Sequence, residues 1–236
     1  MPSAASEPAA PPISRVCWQP SYRIVASRFP PIDLFEKVAD PADLDAVFQI
    51  EALTNSRLRE QVGELRLVPA EDRVSGLGSS PIMAAFTHIA PDGARFNDGT
   101  FGAYYCARSV ETAVVETRYH RARFLAATGE PAQEIDMRVY AADIDADLWD
   151  LRGRQDQYRA LYDPDDYGAS RIFARQQRAE SSDGIAYSSV RDEGGECAAL
   201  FRPRLVSNCR QDRHLTYVWN GERITNVYEK ASFSPG

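Results

Sequence analysis

Gly93-Ala94-Arg95-Phe96-Asn97-Asp98-Gly99-Thr100-Phe101-Gly102-Ala103-Tyr104-Tyr105-Cys106-Ala107-Arg108-Ser109-Val110-Glu111-Thr112-Ala113-Val114-Val115-Glu116 holds three kinds of local chemistry in one stretch. Gly93 to Gly99 is turn chemistry, with glycines flanking an arginine and an asparagine. Ala103–Ala107 reads as a short strand. Ser109 is an N-cap for a helix expected to run to about Thr128, with Gly129 as its C′ residue. At about 100° per residue, Val110, Ala113, Val114, Thr117, Phe124 and Leu125 form the apolar stripe of that helix. Glu116 falls on the stripe's border, where a carboxylate can be half-buried and aimed into a cleft.

Outward from this centre the elements interleave. Toward the N-terminus, Val16-Cys17-Trp18 and Tyr22-Arg23-Ile24-Val25 are strand-like. Asp40-Pro41 offers an N-cap and N1 pair for an amphipathic helix over 41–62 that stops at Gly63. Ser80-Pro81 opens a short helix through His88. Toward the C-terminus, Glu134–Ile144, Gly184–Val190 and Cys197–Phe201 read as strands and Gly168–Ala179 as a helix. Leu215–Val218 and Arg223–Val227 form a hairpin in which Asn220-Gly221 suits a type I′ turn. No βαβ rhythm runs through the chain. The expected fold is therefore α+β, a single domain of mixed β-sheets with flanking helices. Residues 1–14 read as a flexible leader, 15–230 as the domain with a helical insertion at about 40–90, and 231–236 as a flexible tail.

The whole-chain balance narrows the function. The 236 residues carry 27 Lys+Arg against 34 Asp+Glu, a net charge of -7, so backbone-driven nucleic-acid binding lacks its basic footprint. Only Lys37 and Lys230 are lysines. The chain is thus rich in guanidinium, the side chain suited to bidentate phosphate recognition. The four cysteines lack a CxxC spacing and the three histidines lie far apart, so no metal is expected. No apolar run is long enough to cross a membrane, and no charged and apolar signal pattern stands at the start. A cytoplasmic protein is expected.

Standard catalytic signatures are missing: no GxSxG, no GxxxxGK[ST], no GxGxxG. Gly76-Leu77-Gly78-Ser79-Ser80 resembles a phosphate loop only superficially and reads as a flexible loop. What remains is polar residues in apolar or glycine-rich settings: Arg23, Arg95 beside Phe96 and Asn97, Tyr104-Tyr105, Glu116, and Ser188-Ser189-Val190-Arg191. Each also has a structural explanation. Arg23 can be ion-paired, Glu116 a helix-surface partner, and Ser189 a turn residue. The many arginines of 118–123 and 171–178 read as solvated helix faces.

The 93–116 stretch resembles the core of the RES domain. The shared pattern is a glycine-flanked arginine and asparagine, a tyrosine-bearing strand, and Thr-Ala three residues before a glutamate. Tyr22-Arg23-Ile24 and Gly184-Ile185-Ala186-Tyr187-Ser188-Ser189-Val190-Arg191 resemble the family's first and last motifs, and the likeness spans about 22–205. The sequence departs from the pattern at Ala94, which replaces a glycine, and in the long segment between Arg23 and Arg95. Ser188 and Ser189 compete for the family serine, and Ser189 is preferred because it precedes Val190-Arg191.

The resemblance implies a fold like that of ADP-ribosyltransferase toxins and a toxin that cleaves NAD+, neutralised by an Xre-like helix-turn-helix antitoxin. It implies that Arg23 and Arg95 hold the pyrophosphate or adjoining ribose, and that Tyr105, with Tyr104, lines the nicotinamide. Glu116 would bond the ribose hydroxyls and Ser189 would complete the pocket, with Asn97 and Arg191 as further ligands. NAD+ is then the substrate and no metal is needed. Water, inorganic phosphate or a protein side chain remain open as acceptors, so glycohydrolase, phosphorylase and ADP-ribosyltransferase are all compatible. A non-catalytic nucleotide-binding module is the alternative outside enzymology.

Overall fold

The computed structural model describes residues 10–27, 34–38, 40–44, 46 and 63–231. Beyond Pro41–Asp43, Leu44 and Ala46, the helix expected over 41–62 lies outside the described residues, as do the start of the leader and most of the tail. Asp40 caps the turn at Pro41–Asp43 by accepting the Ala42 amide at 2.9 Å.

The strands are β1 Ile13–Ala26, β2 Tyr104–Ala107, β3 Gln133–Asp150, β4 Gly184–Ser188, β5 Glu196–Leu200, β6 Val206–Trp219 and β7 Ile224–Lys230. The main helices are α1 Ser79–Thr87, α2 Val110–Ala127 and α3 Gly168–Ala179. The strands form one sheet in the order β1-β2-β5-β4-β3-β6-β7, and an additional β1–β3 pairing closes five of them into a ring. Only β3 and β4 run parallel; the other neighbours are antiparallel. The α+β class with a mixed sheet is therefore as the sequence reading had it.

Period-two alternation divides the interior into two cores. One takes Tyr104, Cys106, Ile144, Leu148, Ala198 and Leu200 and is covered by α1 through Ile82, Met83 and Phe86. The other takes Ala107, Val139, Ile185, Tyr187, Cys197 and Ala199, covered by α2 and α3 through Ala113, Leu125 and Ala174. Strand β1 contributes to both. Its register shifts between Trp18 and Ser21, which turns Val16 and Trp18 to the first core but Ile24 to the second. Arg23, paired with Tyr140, is thereby turned to the first core's side.

Several expected boundaries move. Ile13 and Ser14, read as leader, pair with Trp149 and Leu148, because β3 continues to Asp150 and offers them a partner edge. Strand β4 ends at Ser188 because the next residues turn back, with the Ser189 amide donating to Gly195 O. The β6–β7 loop is not a type I′ turn. Pairing slips between Val218 and Trp219, and Asn220 Oδ1 instead accepts the amides of Glu222 and Arg223, with Gly221 alone at positive φ. Phe124 of the expected stripe is exposed, while Thr112 is buried in its place. Thr112 donates its hydroxyl to Asp192 at 2.6 Å, and the Thr117 hydroxyl bonds Tyr217 Oη at 2.7 Å, while Leu125 is the one buried residue in the second half of α2.

In the Gly76-Leu77-Gly78 turn the Gly76 amide donates to Phe35 O at 2.9 Å and Gly78 is closely packed. A Cβ on Gly78 would stand 2.0 Å from the Cys209 carbonyl oxygen, and the Gly78 amide donates to Glu36 at 3.3 Å. That amide is used within the chain, so the turn is not a phosphate cradle.

Candidate active site

A cleft of about 230 Å³ opens where β1, β2 and α2 meet. Strands β1 and β2 pair at one position only, Tyr22 with Ala107, so the sheet is parted there. Its walls include Tyr22, Arg23, Arg95, Tyr105, Glu116 and His120, with Thr117 and Tyr187 behind them.

Glu116 comes from the second turn of α2, which Ser109 starts by accepting the Thr112 amide at 3.1 Å. Its side chain is 20% exposed. Ser189 donates its hydroxyl to Glu116 Oε1 at 2.6 Å. Ser189 Oγ in turn accepts the amides of Arg191 at 3.1 Å and Asp192 at 2.9 Å. With two donors on its lone pairs, the hydroxyl proton is left to point at the carboxylate. Ser188, the competitor, instead accepts the Gly153 amide at 3.0 Å.

Arg23 and Arg95 both line the cleft. Arg23 donates to Tyr105 O at 3.1 Å and lies 5.0 Å from the Tyr104 ring centroid. Its Nε is buried without a partner among the described residues. Arg95 is 7% exposed, donates to Leu161 O and Asp163 O, and stacks 4.5 Å from the Tyr167 ring centroid. Among the described residues neither arginine forms an ion pair with a carboxylate. The turn that carries Arg95 is fastened by α3, where Arg171 bonds Ala94 O and Arg175 pairs with Asp98. Those two arginines, read as part of a solvated face, are thus partly structural.

Tyr105 lines the cleft with its hydroxyl committed elsewhere: it donates to Asn97 Oδ1 at 2.8 Å and accepts the Phe96 amide at 2.9 Å. Burial pushes its phenol well above the ordinary range. Asn97 also donates to Phe101 O and does not reach the cleft wall. It orients Tyr105. Tyr104 departs from expectation entirely: strand alternation turns it to the opposite face, where it is fully buried in the first core. Arg191 also lies off the wall. Its guanidinium stands 3.6 Å from the Tyr119 ring centroid and bonds Pro164 O, tying α2 to the 163–167 loop.

Burial disfavours the thiolate form of both cleft cysteines. Burial pushes Cys106 up to about 12 and Cys197 well above its ordinary value. Among the described residues no group of His, Cys, Asp and Glu has the arrangement to hold a metal ion, and no helix is long and apolar enough to cross a membrane.

His120 was not singled out by the sequence reading, although it follows Glu116 by four residues on one helix, a spacing that makes side chains neighbours. Its Nε2 lies 3.9 Å from Glu116 Oε2. Loss of hydration in the cleft, followed by the charges of Arg191, Arg95 and Arg123, pushes its pKa down to about 4.

The arrangement is a cleft lined by two arginines without carboxylate ion pairs among the described residues and by one oriented carboxylate, and comparison with known proteins places it in a family. The RES domain model matches residues 70–220, and the chain belongs to the RES-domain family. The match begins after Arg23, later than the span read from the sequence, and folding returns Arg23 to the site. The uncharacterized protein y4oC of Sinorhizobium fredii is 30% identical over 207 residues, covering 88% of this chain and 86% of that protein. The chain is also similar, at 12% identity and a TM-score of 0.46, to a chain in the crystal structure of the M. tuberculosis MbcT–MbcA toxin–antitoxin complex, over 89% of this chain and 87% of that one.

Proposed function

We propose that this protein is an NAD+-degrading toxin that breaks the bond between nicotinamide and ribose. The observation that carries the reading is the cleft's charge pattern: Arg23 and Arg95 lack carboxylate ion pairs among the described residues, while Glu116 lines the same cleft with its direction set by Ser189. The resemblance to RES-domain toxins suggests the reaction class, and the residue chemistry is suited to it.

In the proposed reaction the arginines hold the pyrophosphate and adjoining ribose, which orients the dinucleotide. The bond to nicotinamide breaks through an oxocarbenium-like state in which positive charge develops on the ribose. Glu116, bonded to ribose hydroxyls, stabilises that charge. Nicotinamide leaves from a cationic ring, so its departure as a neutral base needs no general acid. Tyr105 would line the nicotinamide end, its ring held by Asn97. Ser189 acts as a positioning residue through Glu116.

The proposed setting is the cytoplasm of a bacterium, with an Xre-like antitoxin that masks the cleft. Depletion of NAD+, by water or phosphate as acceptor, is preferred over transfer of ADP-ribose to a protein. The test is release of nicotinamide from NAD+ by the purified chain, and its loss in Glu116→Gln with the fold intact. Mass spectrometry of reactions in phosphate buffer distinguishes ADP-ribose from its phosphorylated form, and labelled NAD+ in lysate reveals a protein acceptor.

A further inference from the structure

Resting on that reading, we infer that His120 is a further catalytic residue of the cleft and takes the proton from the oxygen nucleophile that captures the ribosyl cation. Three observations place it there. It lines the same cleft as Glu116 and both arginines. Its Nε2 and Glu116 Oε2, at 3.9 Å, are too far apart to bond each other, but an oxygen at about 2.8 Å from each can hydrogen-bond both. Finally, its side chain is 52% exposed, which gives an abstracted proton a way out to solvent.

The electrostatics suit a base. The groups facing the imidazole are Glu116 across the helix turn, the Tyr119 and Tyr167 rings, and the guanidinium groups of Arg95, Arg123 and Arg191. Loss of hydration, with the three cations set against the one carboxylate, keeps the ring neutral with a lone pair to offer throughout the neutral pH range. Its basicity is then close to that of a carboxylate. Inverting glycosidases use carboxylate bases to activate water against a similar oxocarbenium-like state.

The step balances without a further reactant. A bond forms between the nucleophile's oxygen and ribose C1′, and the bond from C1′ to the nicotinamide nitrogen breaks. The electron pair of that bond neutralises the pyridinium ring. The proton on the nucleophile's oxygen passes to His120 Nε2 and then to bulk water.

The test is steady-state nicotinamide release by the wild type, His120→Ala and His120→Gln, with circular dichroism to confirm folding. A positioned base contributes about 10²–10⁴-fold, so kcat in both variants falls at least about a hundredfold while KM for NAD+ is unchanged. Added imidazole restores turnover to His120→Ala and does nothing for the wild type. Full kcat in both variants, or a loss confined to KM and not rescued by imidazole, overturns the inference. If the wild type is active and Glu116→Gln inactive while His120→Ala is fully active, the NAD+ reading stands and only the histidine's role falls. A wild type that releases no nicotinamide overturns both.

Discussion

Ser189 Oγ donates to Glu116 Oε1 at 2.6 Å while accepting two backbone amides, those of Arg191 and Asp192. The hydroxyl thus transmits the geometry of the 189–192 turn to a carboxylate on a helix distant in sequence. Ser189→Ala removes that link and leaves both amides short of an acceptor. Stability should drop by about 1–3 kcal/mol, read by urea denaturation. Nicotinamide release should fall far more than this loss of stability explains, because Glu116 loses its orientation. Wild-type turnover in the variant contradicts the positioning role.

Arg23→Met keeps most of the side chain's length and removes the charge together with the hydrogen bond to Tyr105 O. The expected result is a KM for NAD+ raised about tenfold or more, since a hydrogen bond to a charged group is worth about 1.5–3 kcal/mol. Melting temperature should hold or rise, because the replaced cation has no carboxylate partner among the described residues. Calorimetric titration with ADP-ribose checks the same loss without turnover.

Arg95→Ala should act differently, because Arg95 also fastens the loop through Leu161 O and Asp163 O. Amide hydrogen exchange across 161–167 should speed up in this variant and stay unchanged in Arg23→Met. Equal protection of that loop in both variants argues against the fastening role.

The His120 imidazole should remain neutral from pH 8 to pH 5.5, followed by its ring nitrogen shifts in NMR. Its folded pKa of about 4 lies below the ordinary value of 6.5. Between those values the unfolded chain binds more protons than the folded one, so this residue's contribution to stability is full above pH 6.5 and declines as pH falls toward 4. A midpoint near 6.5 contradicts the loss of hydration and the crowding by Arg191, Arg95 and Arg123.

Gly78→Ala should destabilise the protein by at least about 1 kcal/mol, seen as a lower thermal midpoint. Its φ is +80° and the added Cβ would collide with the Cys209 carbonyl. Leu77→Ser next to it, at a side chain that is 95% exposed, should change stability by no more than about 0.5 kcal/mol. Equal effects at the two positions would rule out the close approach.

Local chemistry was legible in the chain itself. Ser109 and Gly129 bounded α2, alternation marked the strands, and the 93–116 motif named the family, because caps, turns and periodicity act over a few residues. Whether Tyr104 or Tyr105 faces the cleft could not be read locally, since strand alternation separates the two without saying which face is the site. Only the pairing of β2 with β5 and β1 decides it, and it buries Tyr104. The same holds for Arg23, turned by a register shift in β1, and for His120, whose company of Arg95, Arg123 and Arg191 comes from separate elements. The sequence by itself determined which residue types and local elements were present. The tertiary structure alone decided which charges face one another, because electrostatic partnership depends on distance in space and desolvation, and neither is a property of neighbours along the chain.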